Sequence, residues 1–289
     1  MSLNFIITIA EIIGGLLSGS LALISDALHN FSDGIAVIIS FIALNLRSRR
    51  HSSRHTFGLK RAEILAAVIN SVVLLGLSLY LFYESVLRLI QPVEIQGKLM
   101  LIVASIGLVA NVLGTWLLKR DSHHSINIKS AYLHLLADAV SSVAVIIGGA
   151  AIYFWEIYWI DPSLTILIGV YILRESYHIL SDAIHILMEG APEDISLVSI
   201  QEAIESLPGI QNVHHLHLWT VGERDIHLQA HVNVDDMLVS QSDSLRVKIE
   251  QLLSTRFGIR HVTLQIECKP CDDVGLIHNS IDHDESDHP

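Results

Sequence analysis

Apolar positions dominate the first two thirds of the chain in long unbroken runs, roughly Leu3 to Ile24, Ala27 to Leu46, Ala62 to Leu87, Leu99 to Leu118, Ile128 to Phe154 and Pro162 to Tyr177. Each is long enough, at about 1.5 Å of rise per helical residue, to cross most or all of a hydrocarbon core about 30 Å thick. The pattern therefore predicts a bundle of six transmembrane helices. The sixth continues as a polar helix whose wet face carries Glu175, His178, Asp182, His185 and Glu189, and it stops at Gly190-Ala191-Pro192. Beyond Pro192 the period shortens. A helix capped by Asp194 or Ser196 runs to about Leu207, and strands follow at about Val213 to Val221 and Ile226 to Val234. A helix from about Ser240 to Phe257 and a strand from about His261 to Glu267 close an αββαβ order. In the second strand Ile226, Leu228, Ala230 and Val232 alternate with His227, Gln229, His231 and Asn233, the pattern of a sheet with one wet face.

The expected organisation is thus a six-helix membrane domain over 1–190, a cytosolic αββαβ domain of ferredoxin-like (metallochaperone-like) type over 191–271, and a disordered acidic and histidine-bearing tail over 272–289. Composition agrees with the membrane reading, since 51% of the 289 residues are hydrophobic and mean hydropathy is +0.49. No basic n-region precedes the first run, which is longer than a signal h-region, so it is expected to stay in the membrane. Arg47, Arg49, Arg50, Arg54, Lys60 and Arg61 follow span two, and Lys119, Arg120 and Lys129 lie between spans four and five. By the positive-inside rule these loops face the cytoplasm, and six spans then put both termini there.

Chemistry enters with a pattern that occurs twice, Leu28-His29-Asn30-Phe31-Ser32-Asp33 and Leu133-His134-Leu135-Leu136-Ala137-Asp138. Four-residue spacing stacks imidazole and carboxylate on one helix face. Span two descends while span five ascends, so both pairs reach similar depth near the midplane. Together His29, Asp33, His134 and Asp138 offer two nitrogens and two oxygens, a tetrahedral set for zinc or a similar divalent ion. An aspartate at the centre of a membrane helix costs on the order of 3 kcal/mol, so two of them call for a compensating role.

Other polar groups are less specific. Glu11 in span one either hydrogen-bonds to a neighbouring helix or stands on an ion pathway. Gly15 and Gly19 form a Gly-x-x-x-Gly. Glu63, Asn70 and Glu84 in span three have no evident partner in the sequence. His51 and His55 have ligand spacing but sit among arginines, and the adjacent His123 and His124 point in different directions. Cys268 and Cys271, the only cysteines, form a Cys-x-x-Cys that offers half a zinc site and, in the cytosol, no structural disulfide.

Several of these stretches together resemble the cation diffusion facilitators, in the zinc, cobalt and cadmium efflux branch. They are Ser20-Leu21-Ala22-Leu23-Ile24-Ser25-Asp26-Ala27-Leu28-His29 with Asp33, His55-Thr56-Phe57-Gly58 through Arg61-Ala62-Glu63-Ile64-Leu65, His134 with Asp138, Val213-His214-His215-Leu216-His217-Leu218-Trp219, and Ala230-His231-Val232. The resemblance implies a homodimeric metal/proton antiporter of the bacterial inner (plasma) membrane that moves zinc out of the cytoplasm through His29, Asp33, His134 and Asp138. It places His214, His231 and Glu267 where the cytosolic domain holds metal, with Gln265 where some members carry a further histidine. It also places Arg61 and Glu189 at a charge interlock. Zinc would be cargo and a structural or regulatory ion rather than a cofactor; protons, lipid and a second copy of the chain would be the partners, with no nucleic acid. A membrane metalloenzyme is disfavoured, because no His-Glu-x-x-His is present and four protein ligands leave no position for an activating water. A metal-gated receptor or channel is the alternative.

Overall fold

The computed structural model describes residues 2–47, 52–119, 126–222, 225–268 and 275–277, with some helix side chains, His134 among them, outside the description. The readings on His51, His123, His124, Cys271, His278, His283 and His288 fall outside the described residues. The chain divides into two units, Met1–Asn45 with Ala66–Ser181, and Leu46–Leu65 with Asp182–Pro289.

The first unit is helical, built from α1 (Ser2–Ser18), α2 (Leu21–Arg47), α3 (Arg61–Ile90), α4 (Gly97–Lys119), α5 (Ile126–Trp155) and α6 (Ile160–Leu187), of which 46–47, 61–65 and 182–187 belong to the second unit. Arg61–Ile90 and Asp138–Trp155 are long and apolar enough to cross a membrane. The unit is polar inside and apolar outside. Ile9, Leu16, Ile69, Val109, Ile147 and Leu167 are exposed, whereas Glu11, Ser25, Asp26, Asn30, Asn111, Asp138 and Ser142 are buried. Water would not tolerate that distribution, but lipid favours it, because the outer surface meets hydrocarbon and the polar groups must satisfy one another inside.

Helix bounds follow the apolar runs except at the first boundary. The run Leu3 to Ile24 is two elements, since α1 stops at Ser18 and Gly19 takes φ +76° before α2 begins at Leu21. Hydropathy cannot see this break, because Leu21-Ala22-Leu23-Ile24 is as apolar as what precedes it. Gly15 and Gly19 therefore do not form one helix stripe. Gly15 instead packs against the start of α2, where an added Cβ would stand 2.6 Å from Ile24 Cγ1.

Asp161 explains how α2 starts. Its carboxylate, fully buried in the first turn of α6, accepts from Ser20 Oγ at 2.5 Å, Leu21 N at 2.9 Å and Ala22 N at 3.2 Å. Free N–H groups at a helix start need acceptors. Asp161, although it lies in the first turn of α6, thus caps α2 from another helix.

The second unit contains α7 (Leu197–Glu205), β1 (Ile210–Thr220), β2 (Ile226–Val234), α8 (Val239–Phe257) and β3 (His261–Glu267), the αββαβ order expected. Ser196 caps α7 by accepting from Ser199 N, and Gly258 at φ +71° ends α8. The sheet is mixed, in order β1-β2-β3, with β1 and β2 antiparallel and β2 and β3 parallel. One face packs Val213, Leu216, Leu228, Ala230 and Val232 against Ile200 and Ile204 of α7 and Leu245, Ile249 and Leu253 of α8. The opposite face is not uniformly wet, because His227 and Asn233 are 3% and 5% exposed. Phe57 and Trp219 cover His227, at ring-centroid distances of 5.2 and 5.5 Å.

Candidate metal centres

His29 and Asp33 lie one turn apart on α2, with Nε2 and Oδ2 3.7 Å apart. Asp138 comes from α5, and its Oδ1 stands 3.5 Å from the same Nε2. Asp33 is twelve residues from Leu21 at the start of α2, and Asp138 is twelve from Ile126 at the start of α5. Each carboxylate is therefore about 18 Å along its helix. His134 occupies α5 one turn before Asp138, on the same helix face. Three side chains of the expected four thus converge, and the side chain of the fourth, His134, lies outside the description. The ring of Tyr171 on α6 meets His29 edge-on at 5.8 Å.

A second tier of polar groups surrounds this cluster. Asp26, one turn before His29, accepts from Ser141 Oγ of α5 at 2.6 Å. Glu11 of α1 accepts from Asn30 Nδ2 at 3.1 Å, and Asn70 Nδ2 of α3 donates to Ser32 Oγ at 3.0 Å. Arg88 bonds Glu84 Oε1 at 3.1 Å and the Gly19 carbonyl at 2.5 Å. The polar residues of span three without evident sequence partners, Asn70 and Glu84, do have them in space.

On the sheet, strand register sets His214 beside His231 and Asn233 beside Glu267. Glu267 reaches both imidazoles, with Oε1 2.9 Å from His231 Nδ1 and Oε2 3.4 Å from His214 Nε2. Asn212 Oδ1 lies 3.0 Å from His214 Nδ1 and fixes the ring, the arrangement that orients metal-binding histidines. The sequence reading missed His215. Simple alternation puts it on the opposite face from His214, but pairing slips between His214 and His217, and His215 takes φ +47°. This bulge brings His214, His215 and His231 together, with ligand atoms within 4.8 Å of one another. Part of the stretch expected as tail holds the bulge in place. Gly275 O accepts from His215 N at 3.2 Å and Leu276 O from Leu216 N at 2.9 Å.

Gln265 Nε2 donates to Glu267 Oε1 at 2.6 Å, so it orients the carboxylate where a histidine would add a ligand. Cys268 is exposed just after β3. His178 and Asp182 are exposed on α6, and His185 Nε2 lies 2.8 Å from the Ala191 carbonyl. His55 is exposed, in a short bridge with Ser52.

Residues 1–188 match the family described as "Cation efflux transmembrane domain", and residues 192–269 match "Cation efflux protein, cytoplasmic domain". The chain belongs to the cation efflux family. It is therefore an integral membrane protein with a cytoplasmic domain, in a family of transporters rather than enzymes. The chain is 42% identical over 262 residues to the "Cadmium, cobalt and zinc/H(+)-K(+) antiporter" of Bacillus subtilis, covering 90% of this chain and 84% of that one. It is 37% identical to the "Metal cation efflux system protein CzcD" of Cupriavidus metallidurans, covering 91% and 83%. It is 35% identical to the "Zinc transporter ZitB" of Escherichia coli, covering 91% and 84%. Among solved structures, the metal-bound C-terminal domain of the CzcD transporter is 30% identical and covers 25% of this chain and 99% of that one, at a TM-score of 0.23.

In this cation efflux protein the two side-chain clusters differ in their donor sets. Among the described side chains the helical cluster brings together one imidazole and two carboxylates, whereas the sheet brings together three imidazoles and one carboxylate. Both suit a borderline ion such as zinc, and neither contains thiolate.

Proposed function

We propose that this cation efflux protein carries zinc, with cobalt and cadmium as close substitutes, out of the cytoplasm across the bacterial plasma membrane in exchange for protons. Six membrane spans over residues 1–190 place both termini in the cytoplasm, and His29, Asp33, His134 and Asp138 carry the ion. The observation that supports this reading best is the placement of His29 Nε2 within 3.7 Å of Asp33 and 3.5 Å of Asp138, on two helices in a polar interior. The names of relatives at 35% to 42% identity, which include zinc transport and exchange against protons and potassium, support the cargo and the exchange.

Exchange follows from the chemistry of the ligands. Histidine must be neutral and aspartate ionised to bind zinc, so metal entry expels protons and proton entry expels metal. Asp138 is almost fully buried and Asp33 is one-third exposed, so Asp33 is the ligand that meets water first. A deep cage of this kind suits stepwise alternating access.

The domain at 191–271, with the ferredoxin-like order, is assigned a second, resident ion held by His214, His231 and Glu267, with His215 as the fourth ligand. It also joins two copies of the chain, as the family's cytoplasmic domain does by resemblance. Arg61 NH2 and Glu189 Oε1, 2.9 Å apart, form the interlock of the cytosolic unit. Both are substantially exposed, so the pair is worth at most about 1 kcal/mol in one protomer. Zinc uptake into proteoliposomes, with and without an imposed pH gradient, tests the proposal. Uptake that follows the gradient and pumps protons the other way is expected, and gradient-independent flux would overturn it.

A further inference from the structure

The transport cluster does not account for all the buried polar chemistry of the helical unit. Glu11 and Asp26 are 1% and 3% exposed, and no Lys or Arg pairs with either among the described residues. Each carboxylate holds one donor, Asn30 for Glu11 and Ser141 for Asp26. Glu11 is also within electrostatic reach of both Asp26 and Asp138. Two acidic groups so placed need a cation or protons.

Neighbouring helices supply further polar atoms with no visible use. Ser25 Oγ, Ser142 Oγ and Asn111 Nδ2 are buried without a hydrogen-bond partner, and their residues are 0%, 1% and 4% exposed. Such an atom costs about 1–3 kcal/mol, and three in one bundle ask for a ligand. Two of them lie within one turn of residues that touch the acidic groups of this interior. Ser142 is one turn from Asp138 and follows Ser141, which bonds Asp26. Asn111 is one turn from Gly107 on α4, and Gly107 lies directly against Glu11, since a Cβ there would stand 2.5 Å from Glu11 Oε1. A glycine at that point leaves room for the carboxylate.

We infer that Glu11, Asp26, Asn30, Asn111, Ser141 and Ser142 form a second cation site, next to the zinc cluster, for a hard alkali-metal ion. The donors are oxygens from carboxylate, amide and hydroxyl groups, with no imidazole or thiolate, a set that selects hard cations over zinc. The Asn111 amide presents its oxygen by a simple flip. Four neutral oxygens accompany the two carboxylates, a loose mixed set that suits a singly charged ion better than magnesium, with its demand for tight octahedral geometry. The inference rests on the antiport reading, in which zinc departure leaves Asp33 and Asp138 without their counter-charge. A monovalent ion one turn away then compensates part of it.

Thermal unfolding of the purified full chain tests the site directly. Melting is followed at constant pH and ionic strength in potassium, sodium or choline chloride, and with added calcium or magnesium. A saturable rise of roughly 5 °C in potassium or sodium over choline is expected. Asn111→Leu and Glu11→Gln should abolish that rise, and Gly107→Ala should shift its midpoint to higher salt. Asp33→Ala, which disables the zinc cluster, should keep it, so this result does not depend on whether the transport proposal stands. Equal melting in potassium, sodium and choline, a shift produced only by calcium or magnesium, or a full shift retained in Asn111→Leu would each overturn the inference.

Discussion

Nε2 of His29 on α2 and Oδ1 of Asp138 on α5 stand 3.5 Å apart in the interior of the helical unit. Neither residue can bind metal tightly alone, and in the proposed transport site the two helices each supply half of the ligands. Asp138→Ala, Asp33→Ala and His134→Ala should each lower zinc transport by roughly 100-fold or more, since even outer-shell partners of a metal cost 10–100-fold. The aspartate variants should remain folded, because each removes a charge from a crowded polar interior rather than an apolar contact. Vesicle uptake alongside size-exclusion profiles decides this, and near-normal flux in any folded variant would remove that residue from the site.

Much of this was legible in the sequence, for a physical reason. A membrane helix has one long apolar signal, and a charged residue within it stands out, so the runs and the His29–Asp33 and His134–Asp138 pairs were visible at once. Position within space was not. Nothing in the order of residues shows that Asp161 reaches the start of α2, or that Asn30 bonds Glu11, since these contacts join helices far apart in the chain. His215 was missed because alternation assumes a regular ladder, and one slip in pairing reverses the face. The buried state of His227 was missed because its cover, Phe57, comes from a loop before α3.

Asp161 should matter for folding more than for transport chemistry. Replacing it by Ala leaves Leu21 N and Ala22 N without acceptors in a buried setting, at a cost of about 2–4 kcal/mol. Asp161→Asn keeps one acceptor oxygen and should lose roughly half as much. Chemical denaturation in detergent measures both. An alanine variant as stable as the parent would mean that other groups satisfy the start of α2.

The three-imidazole cluster predicts a metal-dependent cytosolic unit. Zinc should raise the thermal stability of the Asp33→Ala chain through His214, His215 and His231, and His215→Ala should weaken that binding roughly 10–100-fold. His217→Ala is the control, because His217 is exposed on the same strand outside the cluster. If His215→Ala and His217→Ala bind zinc alike, the bulge serves the fold and the tail contact instead of the metal.

His227 predicts a pH dependence of the cytosolic unit. Burial pushes its pKa down from 6.5 to about 4, the positive charges of a protonated His261 and of Lys60 push the same way, and Asp225 opposes them weakly. Its ring stacks on Trp219 and stands 4.1 Å from the ring of His261, with Phe57 against both. The folded state therefore resists a proton that the unfolded chain accepts near 6.5. Stability from this residue is complete above that value, declines as pH falls through the interval between 6.5 and 4, and is lost below it. The full swing is at most about 3 kcal/mol, reduced by whatever water reaches the ring. His227→Phe keeps an aromatic ring between Trp219 and His261 but cannot take a proton, so its unfolding midpoint should change less between pH 7 and pH 5 than that of the parent. Parallel curves for the two proteins across that interval would show that His227 is not the group that resists the proton.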